Sequence, residues 1–327
     1  MKIFLTGATG FIGRALARKL LGRGDEVVVL VRSLGKASEL AAAGATLVQG
    51  DLGDESALRE GMAEADAVIH CAAVYKVGMP AKERPAMYEA NVTGTERVLR
   101  TALDEKIPRV VYISTINAYG NTKGEVVDET YEHERQYVSY YDETKHLAHL
   151  VARKLIDEEG LPGIIVQPGS VYGPGDQAEP GGVLRKFVKG QLPMKMLPDA
   201  GISLVHRDDV VDGIVLALEK GRIGEAYNLG GEIITVGDML DVAAKVVGKK
   251  PLTRTMPVWM MKVSAPLGPL TSKITGFPPN LKEVIKAGDG VTYWARDDKA
   301  RRELGYDPRP FEEGIRQTLR EEGLLKY

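Results

Sequence analysis

Tyr141 and Lys145 stand four residues apart, a spacing that puts both on one face of a helix. A phenol is mostly neutral at pH 7, its reference pKa being about 10. An ammonium beside it favours the phenolate and lowers that value. Tyr141 can then exchange a proton with a substrate oxygen, while Lys145 can also hold a ribose hydroxyl. Tyr140 has no such partner, because Thr144 lies four residues on. Ser114 and Thr115 follow the apolar run Val110–Ile113. A hydroxyl there either polarises a carbonyl or caps its own backbone. A third chemical feature opens the chain. Gly7, Gly10 and Gly13 follow the apolar run Ile3–Leu5 and lead into a helical pattern (Phe11, Ile12, Ala15, Leu16, Leu20). The first glycine permits a tight turn, the second lets backbone approach a phosphate, and the third lets the helix pack on the strand. Free N–H groups and the helix dipole favour an anion there. Gly7, Thr9, Gly10, Phe11, Ile12 and Gly13 are therefore candidate dinucleotide contacts.

These residues need a scaffold, and the first half of the chain supplies one. Short apolar runs at 3–5, 26–31, 46–49, 67–70, 110–113 and 164–167 alternate with helical patterns near 11–23, 35–43, 54–62, 85–105 and 137–159. Nearly all-apolar strands alternating with helices predict an α/β fold, a Rossmann-type doubly wound parallel sheet. Ligands lie over the carboxyl ends of such strands. After Gly173-Pro-Gly-Asp176 the pattern is mostly helical (near 181–190, 208–219, 235–247, 255–265, 280–287, 297–304 and 310–322), with short strands near 203–206 and 225–228. The expected division is a dinucleotide-binding part at 1–175, to which later segments return, and a smaller helical substrate lobe at 176–327.

Several segments, in this order, resemble the extended short-chain dehydrogenases/reductases, the branch holding nucleotide-sugar epimerases, dihydroflavonol reductases and 3β-hydroxysteroid dehydrogenases. They are Thr6-Gly-Ala-Thr-Gly-Phe-Ile-Gly13, Gly50-Asp-Leu52, His70-Cys-Ala-Ala73, Asn91-Val-Thr-Gly-Thr95, Ser114-Thr-Ile-Asn-Ala-Tyr-Gly120, Tyr141 with Lys145, Gln167-Pro-Gly-Ser-Val-Tyr-Gly-Pro174, Leu204-Val-His-Arg-Asp-Asp209 and Tyr227-Asn-Leu-Gly-Gly231. The family's catalytic hydroxyl lies four residues before the Tyr of the Tyr-Gly pair, here Thr115. The resemblance thus implies a triad of Thr115, Tyr141 and Lys145. It also implies dinucleotide contacts from Asp51, Leu52, Ala72, Ala73, Lys145, Pro168 and Ser170, and a buried bracing role for Asn91. Tyr75, Ser114, Asn117 and His206 are the candidate substrate contacts. The family pairs through the helices near 85–105 and 137–159, which implies a homodimer.

Departures from the family pattern narrow the reading. An NAD-selective site wants a carboxylate roughly 20 residues after the glycine turn. Here Val31, Arg32 and Ser33 stand there, with Lys36 beyond. A guanidinium suits a 2′-phosphate, so Arg32 and Ser33 predict NADP(H), with NAD(H) possible if Arg32 only stacks on adenine. Dehydratases of the family carry Asp-Glu after the catalytic Thr, where this chain has Ile116-Asn117. Sugar-nucleotide epimerases place an arginine four residues before the His of His-x-x-Asp. Here that residue is Ile202, with Arg207 nearby. The expected function is an NADP(H)-dependent oxidoreductase acting on a carbonyl or the matching alcohol. The alternatives are a nucleotide-sugar epimerase and, from another class, a non-catalytic dinucleotide sensor.

Composition bounds the partners. The 327 residues are 44% hydrophobic and 27% charged, as in a globular protein with ample core. A net charge of −2 suggests neither nucleic acid nor an anionic membrane as a partner, leaving a small-molecule substrate and a second copy. Cys71 is the only cysteine, which fits a reducing compartment and a small core residue. The first strand begins at residue 3, so no leader is expected and the location is read as cytoplasmic. Residues 256–270 are apolar but broken by Lys262, Pro266 and Pro269, too short to span a bilayer. Pro257-Val-Trp-Met-Met261 and Phe277-Pro-Pro279 read as lobe core or, where they face the crevice, as a wall for a hydrophobic carbonyl compound. His146 and His149 lack a third ligand, so no metal is expected.

Overall fold

The computed structural model describes residues 1–176, 178–267 and 279–325. Phe277 and Pro278 therefore lie outside the described residues. In chain order the strands are β1 (Lys2–Thr6), β2 (Glu26–Val31), β3 (Thr46–Gln49), β4 (Ala67–His70), β5 (Val110–Ile113), β6 (Gly163–Pro168), β7 (Ser170–Tyr172), β8 (Gly201–His206), β9 (Ala226–Leu229), β10 (Glu232–Thr235) and β11 (Thr292–Tyr293). Seven of them form a parallel sheet in the order β3-β2-β1-β4-β5-β6-β9. The chain winds outward from β1 to β3, then returns to the other side of β1 as β4. That reversal opens a crevice between the carboxyl ends of β1 and β4.

Alternation along each strand sends successive side chains to opposite faces. Ile3, Leu5, Val27, Val29, Ile69 and Val111 pack against the helices Phe11–Gly22, Arg207–Lys220 and Asp298–Leu304. Phe4, Val28, Val68, Val110 and Tyr112 pack against Glu55–Met62, Gly94–Asp104 and Tyr140–Asp157. Both faces are covered, which is why these strands read as continuous apolar runs. β9 and the helix Arg207–Lys220 come from the second half of the chain and complete this layer.

A second, smaller sheet centres on β8, with β10 antiparallel on one edge and β11 and β7 parallel on the other. Its core joins Tyr172 of β7 and Leu204 of β8 to Leu184, Met239, Leu240 and Phe311 from the helices Gly181–Val188, Val236–Val247 and Phe311–Glu321. β7, β10 and β11 carry too few residues to show a period, and none was expected from the sequence.

The pattern near 85–105 predicts one helix, but the chain forms Arg84–Tyr88, a π-helical turn at Glu89–Thr93, and Gly94–Asp104. The widened turn faces Asn91 inward, where its amide bonds the Val74 backbone at 2.7 and 3.0 Å and Thr144 at 3.1 Å. The expected helix at 137–159 begins instead at Tyr140, because Ser139 caps it by accepting from the Asp142 N–H at 3.1 Å.

Candidate active site

The glycine turn is built as its residue types require. Gly7 has φ +78, and a Cβ there would stand 2.7 Å from the Ala72 nitrogen. A Cβ on Gly13 would collide with the Gly7 carbonyl oxygen. The helix Phe11–Gly22 can therefore start hard against β1 only with these glycines. Gly10 is its N-cap and offers no side-chain acceptor. The N–H groups of the first turn thus face the crevice with no acceptor from their own helix. Such a cradle fits a dinucleotide diphosphate.

The crevice continues into one groove of about 1600 Å³. Of the sequence-predicted dinucleotide contacts, it is lined by Gly7, Thr9, Gly10, Phe11, Ile12, Gly13, Arg32, Asp51, Leu52, Ala72, Ala73, Pro168 and Ser170. Ser33 is not on this surface: it follows Arg32 on the exposed side of the chain. Thr115, Tyr141 and Lys145 meet in the same groove, together with Ser114, Asn117 and Tyr75. His206 does not reach it. That ring is buried at 1% exposure, caps the helix Arg207–Lys220 through the Asp208 N–H at 3.2 Å and packs edge-on against Tyr172. As a substrate contact His206 is therefore corrected to a structural cap.

Lys145 is only 3% exposed. Its ammonium donates to the Ile113 carbonyl at 3.1 Å and to the Tyr112 hydroxyl at 3.4 Å. Burial lowers it to about 8. Burial also raises the Tyr141 hydroxyl, aided by Tyr75, Asp142 and Tyr112, while the Thr115 hydroxyl acts in the opposite sense. Four-residue spacing does put Tyr141 and Lys145 on one face. Yet the long lysine side chain runs back to the end of β5, so desolvation and not the ammonium dominates the phenol. Tyr75 packs edge-on to Tyr141, ring centres 4.7 Å apart.

The Thr115 oxygen accepts from the Asn117 N–H at 3.3 Å. Its proton has two long acceptors, Asn117 Oδ1 and the Pro168 carbonyl, each at 3.4 Å. Sequence reasoning missed two groups beside this cluster. Asp142 is fully buried and accepts from Asn117 Nδ2 at 3.1 Å and from the Tyr293 hydroxyl at 2.9 Å. Burial raises its carboxyl to about 6, against hydrogen bonds from Asn117, Tyr293 and Ser139. Ser139-x-x-Asp142 reads in sequence as a helix-capping pair, which hides the side chain's other contacts. Tyr293 lies in a two-residue strand that gave no signal.

The same groove is also lined by Leu192, Met194, Met196, Ile202, Met239 and Met256, together with the charged Asp176, Glu179 and Lys186. Ile202 stands where epimerases of the resembling family place an arginine. Arg207 is engaged elsewhere, with Asp208 at 2.8 Å and the Pro174 carbonyl at 2.6 Å. Among the described residues, no cluster of three His, Cys, Asp or Glu side chains is placed to hold a metal. Among them too, no helix is long and apolar enough to cross a membrane.

The chain is similar to several known proteins. The profile of the NAD dependent epimerase/dehydratase family matches residues 3–230. A putative dihydroflavonol 4-reductase of Synechocystis is 32% identical, over 81% of this chain and 80% of its own. A 4-hydroxy-2-methyl-3-oxo-4-farnesyl-3,4-dihydroquinoline-1-oxide ketoreductase of Stigmatella aurantiaca is 31% identical, over 99% of this chain and 97% of its own. A dTDP-glucose 4,6-dehydratase of Streptomyces venezuelae, solved with NAD bound, superposes with a TM-score of 0.78 at 26% identity, covering 100% of this chain and 99% of its own.

Proposed function

The chain belongs to the NAD dependent epimerase/dehydratase family and is an enzyme of the extended short-chain dehydrogenase/reductase class; on that footing we propose that it reduces the carbonyl of an apolar molecule, or oxidises the matching alcohol, with NADP(H) preferred. The observation that carries this reading is the meeting of Thr115, Tyr141 and Lys145 in one groove with the glycine cradle and several methionine side chains.

A nicotinamide dinucleotide, which Gly7, Gly10 and Gly13 would hold along the glycine turn, would supply a hydride for the carbonyl carbon. The Thr115 hydroxyl donates to the carbonyl oxygen and polarises it. Tyr141 gives that oxygen its proton, and burial keeps the phenol protonated until then. Lys145, on the same helix face, supplies positive charge to the site as the phenol loses its proton. The alkyl part of the groove lining favours an apolar substrate. The Stigmatella relative, named for a farnesylated dihydroquinoline, is in keeping with this. Ile202 and the engaged Arg207 leave a nucleotide-sugar diphosphate without the usual guanidinium, which weighs against the epimerase. Arg32 lines the dinucleotide end and is exposed, which supports a 2′-phosphate. The proposed assembly is a homodimer through the helices Gly94–Asp104 and Tyr140–Asp157, where Leu150 is 42% exposed.

Oxidation of NADPH by a panel of aromatic and alicyclic ketones tests the reading. Tyr141→Phe is expected to lower kcat by roughly 100- to 10,000-fold with NADPH affinity unchanged. Full turnover by Tyr141→Phe sinks the mechanism. Release of a retained cofactor on denaturation, with no net NADPH oxidation, would favour the epimerase instead.

A further inference from the structure

Exposed apolar side chains concentrate on one short helix, Val258–Ser264. There Trp259 is 65% exposed, Met260 46% and Val263 71%, the last being the highest value for a large apolar side chain among the described residues. Positions 259, 260 and 263 share one helical face. Met261 points the opposite way and is buried in a cluster with Ala265, Leu281 and Ile285. Met196, Met256 and Val284 pack against that cluster and also line the groove. The exposed face is thus the outer side of a layer whose inner side lines the groove, and Trp259 is not lobe core.

The charge around this helix is one-sided. Residues 242–282 carry seven Lys or Arg and no Asp or Glu, which the net charge of −2 for the whole chain conceals. Lys250 and Arg254 are exposed on the stretch leading into the helix, and Lys282 is exposed on the neighbouring helix Leu281–Gly288. Lys262 meets Asp289 at 3.4 Å with both side chains exposed, a contact worth little. An apolar face bearing Trp and flanked by cations is the composition of a helix that lies in the interface of an anionic bilayer. A protein partner fits less well, because protein interfaces are depleted in Lys, and six of these seven cations are Lys. A helix of seven residues, about 10 Å long, also offers much less than the roughly 800 Å² per partner of a stable protein interface.

We propose that the helix Val258–Ser264 docks this protein on anionic bilayers. Trp259, Met260 and Val263 enter the headgroup boundary, while Lys250, Arg254, Lys262 and Lys282 meet anionic lipid headgroups. The attachment is peripheral, since among the described residues no helix is long and apolar enough to cross a membrane. It goes beyond the reductase reading and does not depend on it.

Sedimentation of the full chain with vesicles tests the docking. At about 50 mM salt, vesicles holding about 30% phosphatidylserine are expected to bind roughly tenfold or more tightly than pure phosphatidylcholine, and about 500 mM salt to undo that gain. Tryptophan emission reads the contact itself. The chain has two tryptophans, and Trp294 is half-buried with its ring N–H donating to the Ile234 carbonyl at 3.3 Å. A blue shift on vesicles therefore comes from Trp259 and is expected to vanish in Trp259→Phe. Trp259→Ser combined with Val263→Ser is expected to weaken binding by roughly tenfold or more, as is Arg254→Glu combined with Lys282→Glu. Urea midpoints should stay at the wild-type value in both, because all four side chains are exposed. No sedimentation at low salt, equal binding to the two lipid compositions, a blue shift that persists in Trp259→Phe, or binding that both double variants leave intact overturns the proposal. So does a concentration-dependent dimer lost in Trp259→Ser without vesicle binding, which assigns the face to a second copy.

Discussion

Lys145 and Tyr141 are both buried, and burial moves them in opposite directions: the ammonium down to about 8, the phenol up. A lysine at about 8 loses its charge within the working range of most assays. For carbonyl reduction, kcat/KM is expected to fall above about pH 8, because the phenol then gives up its proton without a cation nearby. A pH–rate profile flat to pH 10 would remove the Lys145 charge from the mechanism. Arg32 acts at the other end of the groove. Arg32→Asp is expected to move preference from NADPH toward NADH by roughly tenfold or more, since a carboxylate accepts ribose hydroxyls and repels a phosphate. Unchanged ratios of kcat/KM for the two cofactors would acquit Arg32. Residue type and spacing singled out Tyr141 and Lys145, the family resemblance implied Thr115 where the residues alone left Ser114 open, and the fold brings all of them to one groove. Type and spacing did not single out Asp142 or Tyr293, whose meeting spans 151 positions of sequence. Nor could they show His206 turned inward, because a histidine's type does not say which way it faces.

The glycine turn shows how an element can be fixed by what it lacks. Gly13→Ala is expected to force the helix Phe11–Gly22 away from the Gly7 carbonyl, at a cost of about 1–3 kcal/mol. Dinucleotide binding should fall with it, since the first-turn N–H groups move off the phosphate position. Isothermal titration with NADPH and a urea melt would check both, and wild-type affinity would contradict this account of the cradle. This turn was legible because strand, glycines and helix are contiguous in sequence. So were the first six strands of the large sheet, each a short β-branched run between turns. The break in the pattern near 85–105 was not. The π-helical turn there exists to face Asn91 toward Val74 and Thr144, partners that lie elsewhere in the chain. β10 and β11 were hidden for the same reason: they are held by pairing with β8 and not by their own periodicity.

Across the whole molecule, a buried polar thread ties the layers together. Thr95 donates to the Asn91 carbonyl at 2.7 Å, so its oxygen accepts from His70 Nε2 at 3.0 Å. His70 Nδ1 then accepts from Thr6 at 2.7 Å, which requires a neutral ring. Burial holds His70 and His149 down to about 3. In the unfolded chain a histidine titrates near 6.5. Between those values the unfolded state binds protons that the folded state refuses, so stability falls as pH drops from about 6.5 toward 3. Asp142, raised to about 6, works the other way between about 6 and 3.8, as do Glu129, Asp176 and Glu179, all raised by burial. His133, His146 and His206 are lowered and add to the effect of His70 and His149. Urea midpoints are therefore expected to be clearly lower at pH 4.5 than at pH 7. Equal midpoints would mean that these histidines are not buried neutral. The sequence by itself determined the α/β class and the glycine turn, and it named the residue types proposed to move a proton, because those depend on contacts within a few residues. Only the tertiary structure decided what faces them: the carboxylate behind Asn117, the engaged Arg207 and the methionines that line the groove. Each of these is set by packing between segments distant in sequence, which no local spacing encodes.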